Sequence, residues 1–206
     1  MPRPGYAPGV SSRPFHHGNL RTALLDEAEA VLREGGVDAL SLRDLARRTG
    51  VSHGAPRSHF IDRQALLDSL AERGFDRFTE SIRAARDASA TAQKALRRVG
   101  RAYVDFAVDE AALVELMFSA KVDGGSVRVA GAAARLFASM DQALPPATDD
   151  DDERTRERFK LLFAATLQGT AALVTSRRIT REQGQRLVED AAAALETSAL
   201  APPTRS

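Results

Sequence analysis

The chain has no cysteine, which excludes disulfides and thiolate chemistry and is compatible with a reducing cytoplasm. Long apolar runs are also missing. The longest nearly apolar stretch, LLFAATLQGTAALV at 161–174, is interrupted by Gln168 and falls short of the roughly 20 residues that a membrane-spanning helix needs. It predicts a buried helix, and no membrane partner is expected. The N-terminal stretch MPRPGYAPGVSSRPFHHG lacks the apolar centre of a signal peptide; its Pro, Gly and Ser content predicts a flexible arm over 1–17. Motifs of the common enzyme classes are absent as well. There is no Gly-rich phosphate loop with Gly-Lys, no Gly-x-Ser-x-Gly and no His-Glu-x-x-His, so no catalytic residue is nominated and no enzyme is expected. The four histidines, His16, His17, His53 and His59, include no His-x-x-x-His pair and have no cysteine to assist them. No metal site and no cofactor are expected.

Ala, Leu, Arg and Glu outweigh β-branched and aromatic residues, which predicts an all-α chain. With 206 residues and a formal net charge of +1, there is enough chain for one small domain and one larger one. Total charge says little about partners, but its distribution says more. Within SLRDLARRTGVSHGAPRSHF at 41–60, Arg43, Arg47, Arg48 and Arg57 face only Asp44, and Arg63 follows. This is a local basic footprint of the kind that attracts phosphate backbones.

Around that footprint the pattern is helical. Leu20, Leu24, Ala28, Val31 and Leu32 recur at helical spacing up to Gly35-Gly36, where glycine reaches the left-handed backbone that ends a helix. A second helix starts at Ser41, with Ser41 and Asp44 forming a weak capping box. It has room for barely two turns before Gly50, too few to persist unless packed. Gly50-Val51-Ser52 then turns the chain, with Val51 as an apolar plug and Ser52 as cap of the next short helix. Two short helices joined by a glycine turn and preceded by a longer one make a helix-turn-helix, whose second member presents side chains to the major groove of DNA.

Asp62 is read as the cap of a longer fourth helix carrying Leu66, Leu67, Leu70, Phe75, Phe78 and Ile82, with a break at 87–91. Further helices are expected over 92–108, 110–121, 125–143, 150–177 and 181–198, the last opened by a capping box at Thr180 and Gln183. Pro145-Pro146 interrupts the series. The acidic run at 149–153 is read either as a solvated loop or as the first turn of the next helix, where negative charge complements the helix dipole. The helix from about 154 to 177 is apolar on more than one side, so both sides need cover. Together with the Ala-rich last helix, it suggests a helix pair that a twofold mate completes into a four-helix bundle.

The carrying residues run from Ala28 to Gly35-Gly36, then Leu40-Ser41-Leu42-Arg43-Asp44-Leu45-Ala46 and Gly50-Val51-Ser52-His53-Gly54-Ala55, then His59-Phe60 and Ala65-Leu66-Leu67. In these the chain resembles the TetR family of one-component transcriptional regulators, over roughly residues 18 to 70. The resemblance implies a helix-turn-helix DNA-binding domain at 18–62, a larger effector-binding and dimerisation domain at 63–200 and a tail at 201–206. It implies a cytoplasmic bacterial homodimer, a repressor released from a palindromic operator in double-stranded DNA by a small-molecule effector. Two positions depart from the family pattern. Pro56 stands where Leu or Ile is frequent, and its missing N–H removes a bond back to Ser52; in a first turn, where most donors lack partners anyway, the penalty is small and the helix is expected to survive. Arg57 stands where a phosphate-touching Tyr is usual, and it could hold phosphate or reach a guanine edge.

The candidate DNA contacts are Ser41, Arg43, Ser52, His53, Ala55, Arg57, Ser58, His59 and Arg63. Ser41 and Arg63 resemble the family's phosphate-positioning residues, Ser41 doubling as a cap. His53, Ala55, Arg57 and Ser58 face the groove. His59 binds phosphate or closes the helix end, and Arg13, His16 and His17 are candidates for an arm reaching DNA. For an effector pocket the candidates are Tyr103, Phe106, Met117, Phe118, Phe137, Met140 and Phe163, with Thr166 and Gln168 to orient a ligand. Leu162, Ala165, Gly169, Leu173, Leu187, Ala191 and Leu195 are the candidate dimer face. The competing reading is a helical small-molecule-binding or protein-interaction module whose degenerate helix-turn-helix no longer grips DNA.

Overall fold

The computed structural model describes residues 20–89, 91–122, 126–144 and 150–198. The expected arm with Arg13, His16 and His17, the tail and Pro145-Pro146 lie outside the described residues. Among the described residues eight α-helices follow one another: α1 Leu20–Gly35, α2 Leu42–Arg48, α3 Arg63–Asp87, α4 Ala92–Asp109, α5 Ala111–Val122, α6 Val127–Asp141, α7 Asp150–Thr175 and α8 Arg181–Glu196. Two short 3-10 turns, Val37–Ala39 and Ala55–Ser58, lie among the first of them. From residue 150 on, the acidic run thus forms the first turn of α7 rather than a loop. No strand occurs among the described residues.

Side chains set several of the helix starts. The Asp62 carboxylate accepts from the Ala65 N–H at 2.8 Å, and Thr91 Oγ1 accepts from Lys94 N–H at 3.2 Å. Thr180 and Gln183 form the full reciprocal box, Gln183 N–H donating to Thr180 Oγ1 at 3.2 Å and Thr180 N–H to Gln183 Oε1 at 2.8 Å. The box expected at Ser41 does not form. Ser41 occupies the cap position without a side-chain bond, and the Asp44 carboxylate, which would supply the other half of the box, turns instead to Arg47 and Arg48.

A single apolar cluster runs through the molecule. Leu24, Ala28, Leu32, Leu45, Phe60 and Leu66 close the small N-terminal unit, and α3 carries the same core onward through Phe75, Phe78 and Ile82. The Phe78 ring stacks on Phe106 at 4.2 Å between centroids and leans on Tyr103 at 5.0 Å. α3 is thus shared by both halves: α1 packs on it, and so do α4, α5 and α6.

α7 and α8 approach closely at Gly184, where an added Cβ would lie 2.6 Å from Val174 Cγ2 and 3.3 Å from Thr170 Cγ2. Val174 is β-branched and cannot swing its methyl aside cheaply. Gly184→Ala gains up to about 1 kcal/mol of helix propensity, but overpacking of this kind costs about 1 to 3 kcal/mol. The expected result is net destabilisation, read as a lower urea midpoint with unchanged helicity.

Candidate nucleic-acid interface

The glycine turn works as the sequence predicts. Gly50 has φ +70°, Val51 donates from its N–H to Ala46 O at 3.0 Å, and its side chain packs on the core. The segment after it differs from expectation. Residues Ala55–Ser58 form a 3-10 turn, not an α-helix, and its cap is Gly54 rather than Ser52. Proline supplies the reason. An α-helix would need the N–H of residue 56 to reach Ser52 O; Pro56 has none, so Ala55 N–H takes that carbonyl at 3.0 Å and the tighter three-residue pattern continues with Arg57 N–H to Gly54 O at 3.1 Å. Pro56 is buried, and its own carbonyl accepts from both His59 N–H at 3.0 Å and Phe60 N–H at 2.9 Å. The turn is therefore anchored at its second residue and at Phe60, which is fully buried beneath the Arg21 guanidinium at 5.4 Å from the ring centroid.

Anchoring leaves one side open. Ser41, Arg43, Ser52, His53, Arg57 and Ser58 are exposed, while Ala55 and His59 are half-buried. Ser58 Oγ donates back to Ala55 O at 2.7 Å. Arg43 and Arg57 make no hydrogen bond or ion pair with the described residues, so their guanidinium groups are free to meet an anion. The rest of the basic footprint is committed. Arg47 Nη2 pairs with Asp44 at 2.6 Å, and Arg48 reaches Asp44 at 2.9 Å, Glu27 at 3.2 Å and Glu34 at 3.0 Å, stapling α2 to α1. The Arg47 hydrogen bond, helped by Arg48, holds the Asp44 carboxyl below the usual carboxylate range.

Arg63 is committed too. Its Nε donates to Leu40 O at 2.9 Å and Nη2 to Val37 O at 2.5 Å, which ties the start of α3 to the turn between α1 and α2. Both roles, the Arg48 staple and the Arg63 clamp, depend on residues distant in sequence. Counting charges within 41–60 gave no sign of Glu27 and Glu34.

In the larger part, a cavity of about 450 Å³ opens between α6 and α7, with Leu96 of α4 in its wall. Phe137, Met140 and Phe163 line it, as do Leu144 and Lys160. The other six pocket candidates are elsewhere. Tyr103 and Phe106 pack on Phe78, and Met117 lies against Gly74. Phe118 meets Phe75 edge-on at 5.8 Å, Thr166 Oγ1 donates to Leu162 O at 2.9 Å, and Gln168 hydrogen-bonds Tyr103. At the cavity mouth Lys160 pairs with Asp141 at 2.8 Å and Glu157 at 2.6 Å. Burial works against charge on Asp141, but Lys160 and Arg156 outweigh it and hold its carboxyl low.

Burial pushes the Tyr103 hydroxyl up to about 12, a hydrogen bond with Gln168 pulling the other way. The unfolded chain then loses this proton first, near pH 10. Stability from Tyr103 is whole below that value and is lost as pH rises toward about 12. Tyr103→Phe should flatten this alkaline decline, measured as unfolding free energy against pH.

The candidate dimer residues form an outer stripe on α7 and α8. Leu162 and Leu187 are 45% and 43% exposed, and Leu161 beside them 69%. Ala165 and Gly169 are exposed, Leu173 and Ala191 half-buried, and Leu195 is buried within the subunit.

Two family models match the chain: "Bacterial regulatory proteins, tetR family" over residues 24–70 and "Tetracyclin repressor-like, C-terminal domain" over residues 96–201. Among solved structures, a protein of unknown function from Rhodococcus sp. RHA1 is 36% identical, with a TM-score of 0.76 over 89% of this chain and 96% of that one. A protein from Rhodococcus sp. named as a TetR-family transcriptional regulator is 18% identical, with a TM-score of 0.64 over 86% and 98% of the two chains. One from Mesorhizobium loti, similarly named, is 14% identical, with a TM-score of 0.68 over 89% and 98%. These last two show the shared fold. A comparison with curated proteins gives no significant match.

Proposed function

The chain belongs to the TetR family of bacterial regulators, and from that premise we propose that it is a homodimeric repressor released from a palindromic operator by a small-molecule effector. DNA-binding transcriptional regulation is the family's activity. The single observation that carries the reading for this chain is the proline-anchored turn at Ala55–Ser58, with Arg57 on it and Arg43 on α2 both exposed and unpaired among the described residues. Arg43 and Ser41 meet phosphate, Arg57 reaches into the major groove with His53 and Ser58 beside it, and Arg63 acts from behind by holding the loop at Leu40 and Val37. No helix among the described residues is long and apolar enough to cross a membrane.

The effector site is the cavity between α6 and α7, whose apolar lining from Phe137, Met140 and Phe163 suits a largely apolar ligand. The exposed stripe of α7 and α8 is the dimer face. Its leucines and small residues are what a twofold helix bundle buries. Selecting bound fragments from genomic DNA and measuring their gel shift tests the reading. Binding that tightens steeply as salt is lowered supports it; a protein left unbound at low salt is instead a module without DNA affinity.

A further inference from the structure

Charged side chains form a ring where α1 meets the body of the molecule. Glu29, on α1, is buried, its side chain only 8% exposed. Its Oε2 receives Arg77 Nη1 of α3 at 2.8 Å. Arg77 Nη2 continues to Glu110 Oε1, at the corner between α4 and α5, at 2.5 Å. Arg33, also on α1, closes the ring at 4.0 Å from Glu110 and 3.9 Å from Glu29.

Three features make this more than surface pairing. Glu29 cannot be buried as a charge without its arginines, so the position of α1 and the position of the corner are tied together. The ring also reaches α3 a second time: Arg73 Nε of α3 lies 3.2 Å from Glu29 Oε1, although that oxygen and Arg73 Nη1 make no hydrogen bond among the described residues. Finally, an open groove of about 470 Å³, lined by Arg21, Thr22 and Leu25 of α1, by α3 and by Arg128 of α6, flanks α1, so no packed element bars its movement on that side. Glu27 and Glu34 on the same helix hold Arg48 of α2. A tilt of α1 therefore carries α2 and the recognition turn with it.

We propose that Glu110 is a positioning residue: through Arg77 and Arg33 it fixes α1, so that a displacement of the α4–α5 corner re-aims the recognition turn. The proposal rests on the DNA-binding reading above and adds the joint through which the body acts. The cysteine-free chain allows a direct test. Spin labels on Thr22→Cys at the start of α1 and Glu115→Cys on α5, both exposed positions, report the distance between lever and body. With doubly labelled chains diluted into an excess of unlabelled chains, so that both labels of a pair sit on one subunit, the parent should give one narrow distribution. Glu110→Gln should broaden or split it and weaken binding to the selected DNA by about 5- to 150-fold, whereas Glu80→Gln on the exposed side of α3 should do neither. If Glu110→Gln loses its helicity, Glu110→Asp, too short to hold both arginines, is read in the same way. Superimposable distributions overturn the proposal, as does a broadened one with undiminished DNA binding. Should the parent bind no DNA at all, the DNA-binding reading fails, while the label distances still decide whether Glu110 holds α1.

Discussion

Arg57→Ala weakens operator binding by roughly 1 to 3 kcal/mol per half-site, or about 2 to 6 kcal/mol for a dimer that uses both. The expectation follows from where the residue stands. Arg57 lies inside the turn, exposed and without a partner among the described residues, so its removal breaks none of their contacts and takes away the long donor proposed to enter the groove. Contact with a guanine edge predicts a loss largely confined to the operator, with relaxed preference at one base of each half-site. A phosphate contact would instead weaken binding to all sequences alike and lower the salt slope by about one per site. Fluorescence anisotropy on operator and scrambled duplexes separates the two, and equal affinity of parent and variant removes Arg57 from the interface.

Leu162→Glu converts the protein to monomers and lowers operator affinity by about 10²- to 10⁴-fold through lost avidity. Leu162 is 45% exposed in the subunit, so a carboxylate there remains solvated in the monomer and is buried only against a mate, where it has no partner. Sedimentation velocity reads the assembly state, and circular dichroism checks that the subunit stays folded. A variant that remains dimeric places the interface elsewhere.

Much of the fold is legible in the sequence because its signals are local. Gly35-Gly36, Gly50, Asp62, and Thr180 with Gln183 act within a few residues of themselves, and the helices start and stop beside them. The turn at Pro56 was harder to foresee. A missing N–H was visible, but the outcome depended on whether Ala55 would take over the Ser52 carbonyl, which is a matter of backbone geometry. Charge bookkeeping along the chain failed for a related reason: Arg48 and Arg63 are satisfied by groups 14 to 26 residues away. Apolar residues were hardest to sort. Phe106 and Phe137 look alike in sequence, yet one stacks on Phe78 and the other lines the cavity, and only the tertiary packing decides which is which.

The most direct test is dimethyl sulfate footprinting of the protein on a genomic fragment it selects, because guanine N7 lies in the major groove. Docking of the Ala55–Ser58 turn predicts protected guanines in two symmetric half-sites whose centres lie about one helical turn, or a whole number of turns, apart, with the protection lost in Arg57→Ala. Retarded DNA with no protected guanine N7, or protection unchanged by Arg57→Ala, would contradict it.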